Sequence, residues 1–132
     1  AASDVYKRQS SYSKRVAQGV FDGEAEDAFG MNMGAAFEGF VAQELKAHGF
    51  RLRYFTSKKV GELDFVEETL DGEVLAIEVK SGKSFRSHAA LDNALVTKGY
   101  GIDRALVLAE CNLHRDGEVL YLPIFMAGLL EP

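Results

Sequence analysis

The sequence predicts an α/β sandwich around a mixed central sheet. Two helical stretches carry apolar residues at helical spacing and stop at glycines, Gly34 to His48 before Gly49 and Ser87 to Lys98 before Gly99. Strand-like runs lie between and after them, separated by turn residues. The order helix, three strands, helix, two strands needs layers of helix packed on a sheet.

Each element has a local reason. In the first helix Ala36, Phe37, Phe40, Val41, Leu45 and Ala47 project as one stripe, with Glu44 inside it and Glu38 at its edge. Arg51 to Phe55, Glu62 to Val66 and Val74 to Lys80 are the first three strands. Ser87 is placed to cap the second helix, whose buried face is Leu91, Ala94 and Leu95. Ala105 to Ala109 and Glu118 to Leu122 are two further strands, with Asp116-Gly117 as the turn between them. Pro123 opens a short closing helix through Leu130.

Composition bounds the function. A chain of 132 residues that is 47% hydrophobic suits one domain with one core. The net charge of −5 provides no overall basic field for nucleic acid. Cys111 is the only cysteine, so no internal disulfide forms, which fits a reducing, cytoplasmic setting. The longest apolar stretch, Tyr121 to Leu130, is too short to span a bilayer, so no membrane partner is expected.

The stretch GELDFVEETLDGEVLAIEVKSGK, Gly61 to Lys83, places charges inside strands. A two-residue Asp71-Gly72 turn would set Asp64 opposite Val79 and leave neither face clean. A three-residue loop, Leu70-Asp71-Gly72 with Gly72 left-handed, sets Thr69 opposite Glu73 and Asp64 opposite Glu78. Leu63, Phe65, Leu75, Ile77 and Val79 then share one face, and Glu62, Asp64, Glu78 and Lys80 the other. Core burial therefore selects a register in which two carboxylates meet. Facing like charges destabilise a sheet unless a cation, Lys80 or water offsets them. A solvated outer face with Lys80 as partner is the plainer reading. The sharper one is a hard oxygen site for Mg²⁺, completed by water and a substrate phosphate. There a metal polarises a phosphodiester, and a lysine one strand-step away orients the attacking water or neutralises developing charge.

Asp64 followed by Glu78-Val79-Lys80 resembles the signature of the PD-(D/E)XK nuclease superfamily. Gly34-x-x-x-Glu38, Leu45 and Gly49 resemble its first helix. More closely, GAAFEGFVAQEL, GELDFV, AIEVKSGK and YLPIFMAGLL resemble a domain of unknown function found at the C-terminus of prokaryotic AAA-type ATPases. The resemblance covers roughly Gly34 to Leu130. It implies a restriction-endonuclease-like sandwich and a nuclease that hydrolyses DNA or RNA with Mg²⁺, or with Mn²⁺ in its place. Asp64, Glu78 and the Val79 carbonyl would be the metal ligands, Lys80 the catalytic lysine and Glu38 a supporting carboxylate. Leu63 stands where the superfamily's proline would be. The alternative is a non-catalytic regulatory or interaction module that serves an ATPase and keeps the nuclease fold.

Other features weigh less. Glu44 competes with Glu38 as the helix carboxylate, and the block pattern favours Glu38. Gly82-Lys83-Ser84 imitates the end of a phosphate-binding loop, but Ile77 stands where its first glycine is needed, so no ATP site is expected. Lys58, Lys59, Lys83 and Arg86 flank the site and are candidate phosphate contacts or ordinary surface cations. His48, His88 and His114 lack metal-ligand spacing, and His88 alone stands close behind the motif. Ala1 to Gln9 (AASDVYKRQ) resembles translated sequencing-adapter read-through, as in metagenomic assemblies, and is set apart as non-native. The expected division is 1–9 non-native, 10–33 an acidic loop or weak helix, and 34–132 the folded domain, C-terminal to an upstream ATPase.

Overall fold

The computed structural model describes residues 33–97 and 99–132. The expectations for 1–9 and for 10–33, apart from Met33, lie outside the described residues. Helix α1 (Met33–Ala47) is followed by β1 (Phe55–Ser57), β2 (Gly61–Leu63), β3 (Phe65–Glu68) and β4 (Val74–Val79). Then come α2 (Ala89–Val96), β5 (Arg104–Ala109), β6 (His114–Asp116), β7 (Val119–Pro123) and a closing 3₁₀ helix, Ile124–Leu129. Strands β1 and β2 form a hairpin of their own, and the main sheet has the order β3-β4-β5-β7-β6. Strands β4, β5 and β7 run parallel, with β3 and β6 antiparallel at the two edges. The expected mixed α/β sandwich is present.

Both sheet faces are covered. On one, Val41 and Leu45 of α1 pack with Phe65, Ile77, Leu106 and Leu122. On the other, Leu91 and Ala94 of α2 and Leu63 of the small hairpin pack with Val66, Ala76 and Val107. This explains why β4 and β5 are buried at every position after their first residue, since a strand covered on both sides has no solvated face.

Helix α1 ends as Gly49 predicts. Gly49 takes φ +96°, its N–H reaches the Lys46 carbonyl, and the Phe50 N–H reaches Leu45. Two last-turn carbonyls are thereby satisfied, and Leu45 and Phe50 meet in the core across the cap. The buried stripe is rotated from its predicted position: Ala36, Phe40 and Ala47 are exposed, and Ala42 is buried.

The β3–β4 hairpin has the three-residue loop. Thr69 N–H donates to the Glu73 carbonyl at 2.9 Å, Gly72 has φ +85°, and Phe65 lies opposite Ile77. Just beyond the last pair, Asp64 and Glu78 meet through hydrogen bonds between side chain and backbone.

Several expectations are corrected. The predicted strand Glu62 to Val66 bends at Asp64 and divides into β2 and β3, so Leu63 packs against Val66 and Ala76 rather than beside Phe65. The bend arises where side chains replace the ladder. Asp64 N–H donates to a Glu78 carboxylate oxygen, and Val79 N–H to Asp64. The predicted strand Arg51 to Phe55 pairs only from Phe55 onward, opposite Leu63. Ser87 does not cap α2; the cap position is His88, without a side-chain hydrogen bond to the helix. Asp116-Gly117 joins β6, which the sequence reading did not contain, to β7; β5 and β7 are parallel and cannot share a tight turn.

Candidate functional site

Strand pairing aligns one row of residues across the sheet, Glu78, Val107, Tyr121 and His114, and Asp64, at the bend between β2 and β3, adjoins Glu78 through hydrogen bonds. Laterally paired residues point to the same face, here the face covered by α2 and the β1–β2 hairpin. Glu78 lies at the C-terminal end of a parallel strand, where open α/β sheets place their ligand crevices.

Asp64 and Glu78 latch onto each other's backbone. The Asp64 N–H donates to Glu78 Oε1 at 3.1 Å, and the Val79 N–H donates to Asp64 Oδ2 at 2.8 Å. In an extended strand a residue's N–H and C=O turn to the same edge, so the Val79 carbonyl also faces the Asp64 side. Lys80 follows, half-buried, its own N–H held by the Leu108 carbonyl at 2.9 Å. Glu78 is only 6% exposed. Burial pushes its carboxyl up to about 7, while the Asp64 N–H and the Lys80 charge pull down and the charges of Glu38 and Glu62 push further up. Four carboxylates and one ammonium thus share a single electrostatic neighbourhood.

The helix carboxylates separate. The start of α1 adjoins the end of β4, since a Cβ on Gly34 would lie 3.6 Å from Ser81 Oγ. Glu38, one turn along, acts on Glu78. Glu44 instead faces Gly128 of the 3₁₀ helix and lies 3.8 Å from His48 Nε2. Glu38→Gln should therefore change divalent-metal affinity several-fold by calorimetric titration, and Glu44→Gln should leave it within about twofold. Equal effects from the two would remove Glu38 from the site.

The flanking cations are exposed. Lys58 and Lys59 occupy the β1–β2 turn, while Lys83 and Arg86 lie between β4 and α2. Gly82-Lys83-Ser84 stands five residues before α2 begins at Ala89, away from the helix end a phosphate loop would use.

Among the described residues, no group of three or more His, Cys, Asp or Glu side chains could hold a metal ion by themselves. The donors present do fit Mg²⁺, which uses one or two carboxylates and keeps waters or substrate oxygens in its other positions. They do not fit a closed structural site of four protein ligands. One polar surface cavity of about 290 Å³, lined by Leu95, Ile102, Asp103, Arg115 and Glu118, lies at the N-terminal ends of β5 and β7 and so away from Glu78.

Sequence reading missed a second group in the same row. The His88 side chain, 5% exposed, places Nε2 2.6 Å from the Tyr121 hydroxyl. Its Nδ1 lies 2.9 Å from Asp92 Oδ1 without forming a hydrogen bond. Burial, with Asp116 and Asp92 nearby, pushes the Tyr121 phenol up. His114 stacks on Tyr121, with ring centroids 4.6 Å apart and planes 3° from parallel. The sequence signal was weak: His88 stood close behind the motif, but its partner lies 33 residues away.

The layered α/β domain with charged residues at the end of its central parallel strand is matched by one family model. That model describes a domain of unknown function (DUF4143) and covers residues 33–124. The chain belongs to this family. No curated protein and no solved structure matches it. Among the described residues, no helix is long and apolar enough to cross a membrane.

Proposed function

We propose that this domain is a Mg²⁺-dependent phosphodiester hydrolase of the PD-(D/E)XK type, a nuclease with a restriction-endonuclease-like core that acts on nucleic acid. One observation carries the reading: the Asp64 and Glu78 carboxylates interlock through backbone hydrogen bonds at the C-terminal end of β4, with Lys80 next in line. Asp64, Glu78 and the Val79 carbonyl would hold the cation, with Mn²⁺ as a substitute. When bound, it supplies the charge that polarises the phosphodiester and makes its water acidic. Lys80 then orients the attacking water or neutralises charge on the phosphoryl oxygens. Glu38 supports the site from α1, and Lys58, Lys59, Lys83 and Arg86 are the proposed phosphate contacts. By the resemblance of its sequence blocks, the domain would work in the cytoplasm at the C-terminus of a prokaryotic AAA-type ATPase.

A second reading has its own support. Each carboxylate already gives one oxygen to the opposite strand's backbone, so the pair also serves as a structural clasp at the bend. A non-catalytic module serving that ATPase would need nothing more. Incubating the protein with labelled DNA and RNA, in saturating Mg²⁺ or in chelator, separates the two readings. The hydrolase reading expects metal-dependent cleavage that Lys80→Ala slows about 10²-fold or more. Parent protein that cleaves none of these substrates with Mg²⁺ or Mn²⁺ would leave the module.

A further inference from the structure

Three exposed or half-buried groups cluster around Tyr121, in the row of Glu78: Phe85, Arg86 and His114, of which the hydrolase reading uses only Arg86, as a phosphate contact. We propose that they form a platform for single-stranded nucleic acid, with a nucleobase stacked on His114 and a phosphate held by Arg86. The proposal rests on the nuclease reading for its choice of ligand.

The histidine is held on three sides. Its Nε2 lies 3.3 Å from Arg86 Nη2, and its Nδ1 lies 2.8 Å from the Asn112 carbonyl. Arginine only donates, so Nε2 accepts and Nδ1 carries the hydrogen that Asn112 receives. Both ring nitrogens of His114 are thus engaged. Tyr121 covers one of its faces, and Tyr121 is itself pinned by His88. His114 is half-buried, with both ring edges and one face engaged. A rigid aromatic face of this kind suits base stacking, which every nucleobase accepts.

The cation is placed to match. Arg86 is exposed, its guanidinium sits 5.3 Å over the Phe85 ring, and one of its nitrogens is turned to His114. A planar fork with further donors recognises a phosphate in two-pronged fashion. Phe85 completes the support, edge-on to Tyr121 at 5.9 Å.

Position links the platform to the site. His114 and Glu78 share one row and one face, three strand spacings apart, a separation of ~14 Å along the sheet. A strand of nucleic acid with a phosphate at Asp64 and Glu78 would reach His114 within a few nucleotides. Arg115 supplies an internal control, since the residue after His114 on an extended strand turns to the opposite face.

The experiment is fluorescence anisotropy of labelled single-stranded DNA and RNA oligonucleotides, in chelator so that no cleavage occurs. Melting curves confirm that each variant is folded. Arg86→Ala and His114→Ala should each weaken binding about tenfold, and Arg115→Ala less than twofold. His114→Phe, which keeps a ring but no nitrogens, should retain more affinity than His114→Ala. Equal weakening by Arg86→Ala and Arg115→Ala would reduce the effect to general charge and overturn the proposal. So would a parent that binds no single strand, or that binds duplex as tightly as single strand. Binding by the parent without cleavage when Mg²⁺ is added supports the platform while removing the hydrolase reading.

Discussion

Mg²⁺ should raise the melting temperature of the parent protein and leave that of Asp64→Asn nearly unchanged. Asp64 and Glu78 are carboxylates joined at close range through backbone hydrogen bonds, in a site that the charges of Glu38 and Glu62 crowd further. A divalent cation that binds only the folded form stabilises it by mass action, about 2.7 kcal/mol at a hundredfold excess over Kd, or roughly 10 °C for a domain of this size. Asparagine preserves the clasp, because its Oδ1 can accept the Val79 N–H that Asp64 Oδ2 accepts now. It removes one of the two charges, so the metal-free variant should be as stable as the parent or slightly more so. Asp64→Ala separates clasp from charge. It strands the Val79 N–H at a residue only 7% exposed, which costs roughly 1–3 kcal/mol with or without metal. A module whose carboxylates serve only as a clasp predicts the alanine loss and no metal effect. Equal Mg²⁺-induced shifts in parent and Asp64→Asn would eliminate the metal site.

The same pair shows how far sequence reasoning carries. Its register was legible because side chains alternate with period two and Gly72 can adopt the left-handed conformation that a three-residue loop demands. The bend at Asp64 was not legible. It depends on two carboxylates taking the place of ladder carbonyls, and a periodic pattern contains no sign of that exchange. The error then propagated: a strand assumed straight put Leu63 on the Phe65 face, whereas the bent chain carries it to α2. The face predicted as solvated is covered by that helix and by the β1–β2 hairpin, so Glu78 is buried.

Long-range pairing hid the rest. His114–Asp116 is a short polar edge strand of His, Arg and Asp, with no alternation to mark it; charged edges of this kind deter pairing with other chains. Only once β5 and β7 lie parallel does Tyr121 come beside Val107, in the row of Glu78, bringing His88 and His114 with it. No local pattern encodes that neighbourhood. The small hairpin, by contrast, is explained by Gly61, whose φ of +105° and close approach to Ala90 bring the chain down onto α2.

Glu67→Gln should remove most of the loss of stability that the parent suffers as the solution becomes alkaline. Sequence reading gave Glu67 no role; it is 1% exposed, on the α1 side of the sheet opposite Leu75. Burial pushes its carboxyl up from 4.5 to about 8, and the Arg53 N–H at 3.1 Å and the Arg53 charge only partly counter this. The folded protein therefore holds the Glu67 proton more tightly than the unfolded chain does. Its contribution to stability is complete below about 4.5, declines as pH rises, and is lost above about 8. The full effect is on the order of 3–5 kcal/mol. Glu78, raised to about 7, adds a decline of the same sign in metal-free protein. Glutamine keeps an oxygen for the Arg53 N–H and carries no charge at any pH. Denaturant melts of parent and variant in chelator at pH 5 and pH 9 isolate the titration, because any fixed penalty for the amide cancels in the difference between the two conditions. The variant should lose several kcal/mol less than the parent across that interval, leaving the smaller decline due to Glu78. Identical losses in the two proteins would mean that Glu67 does not hold its proton in the fold, and that the carboxylate reaches water by an opening of the α1 side.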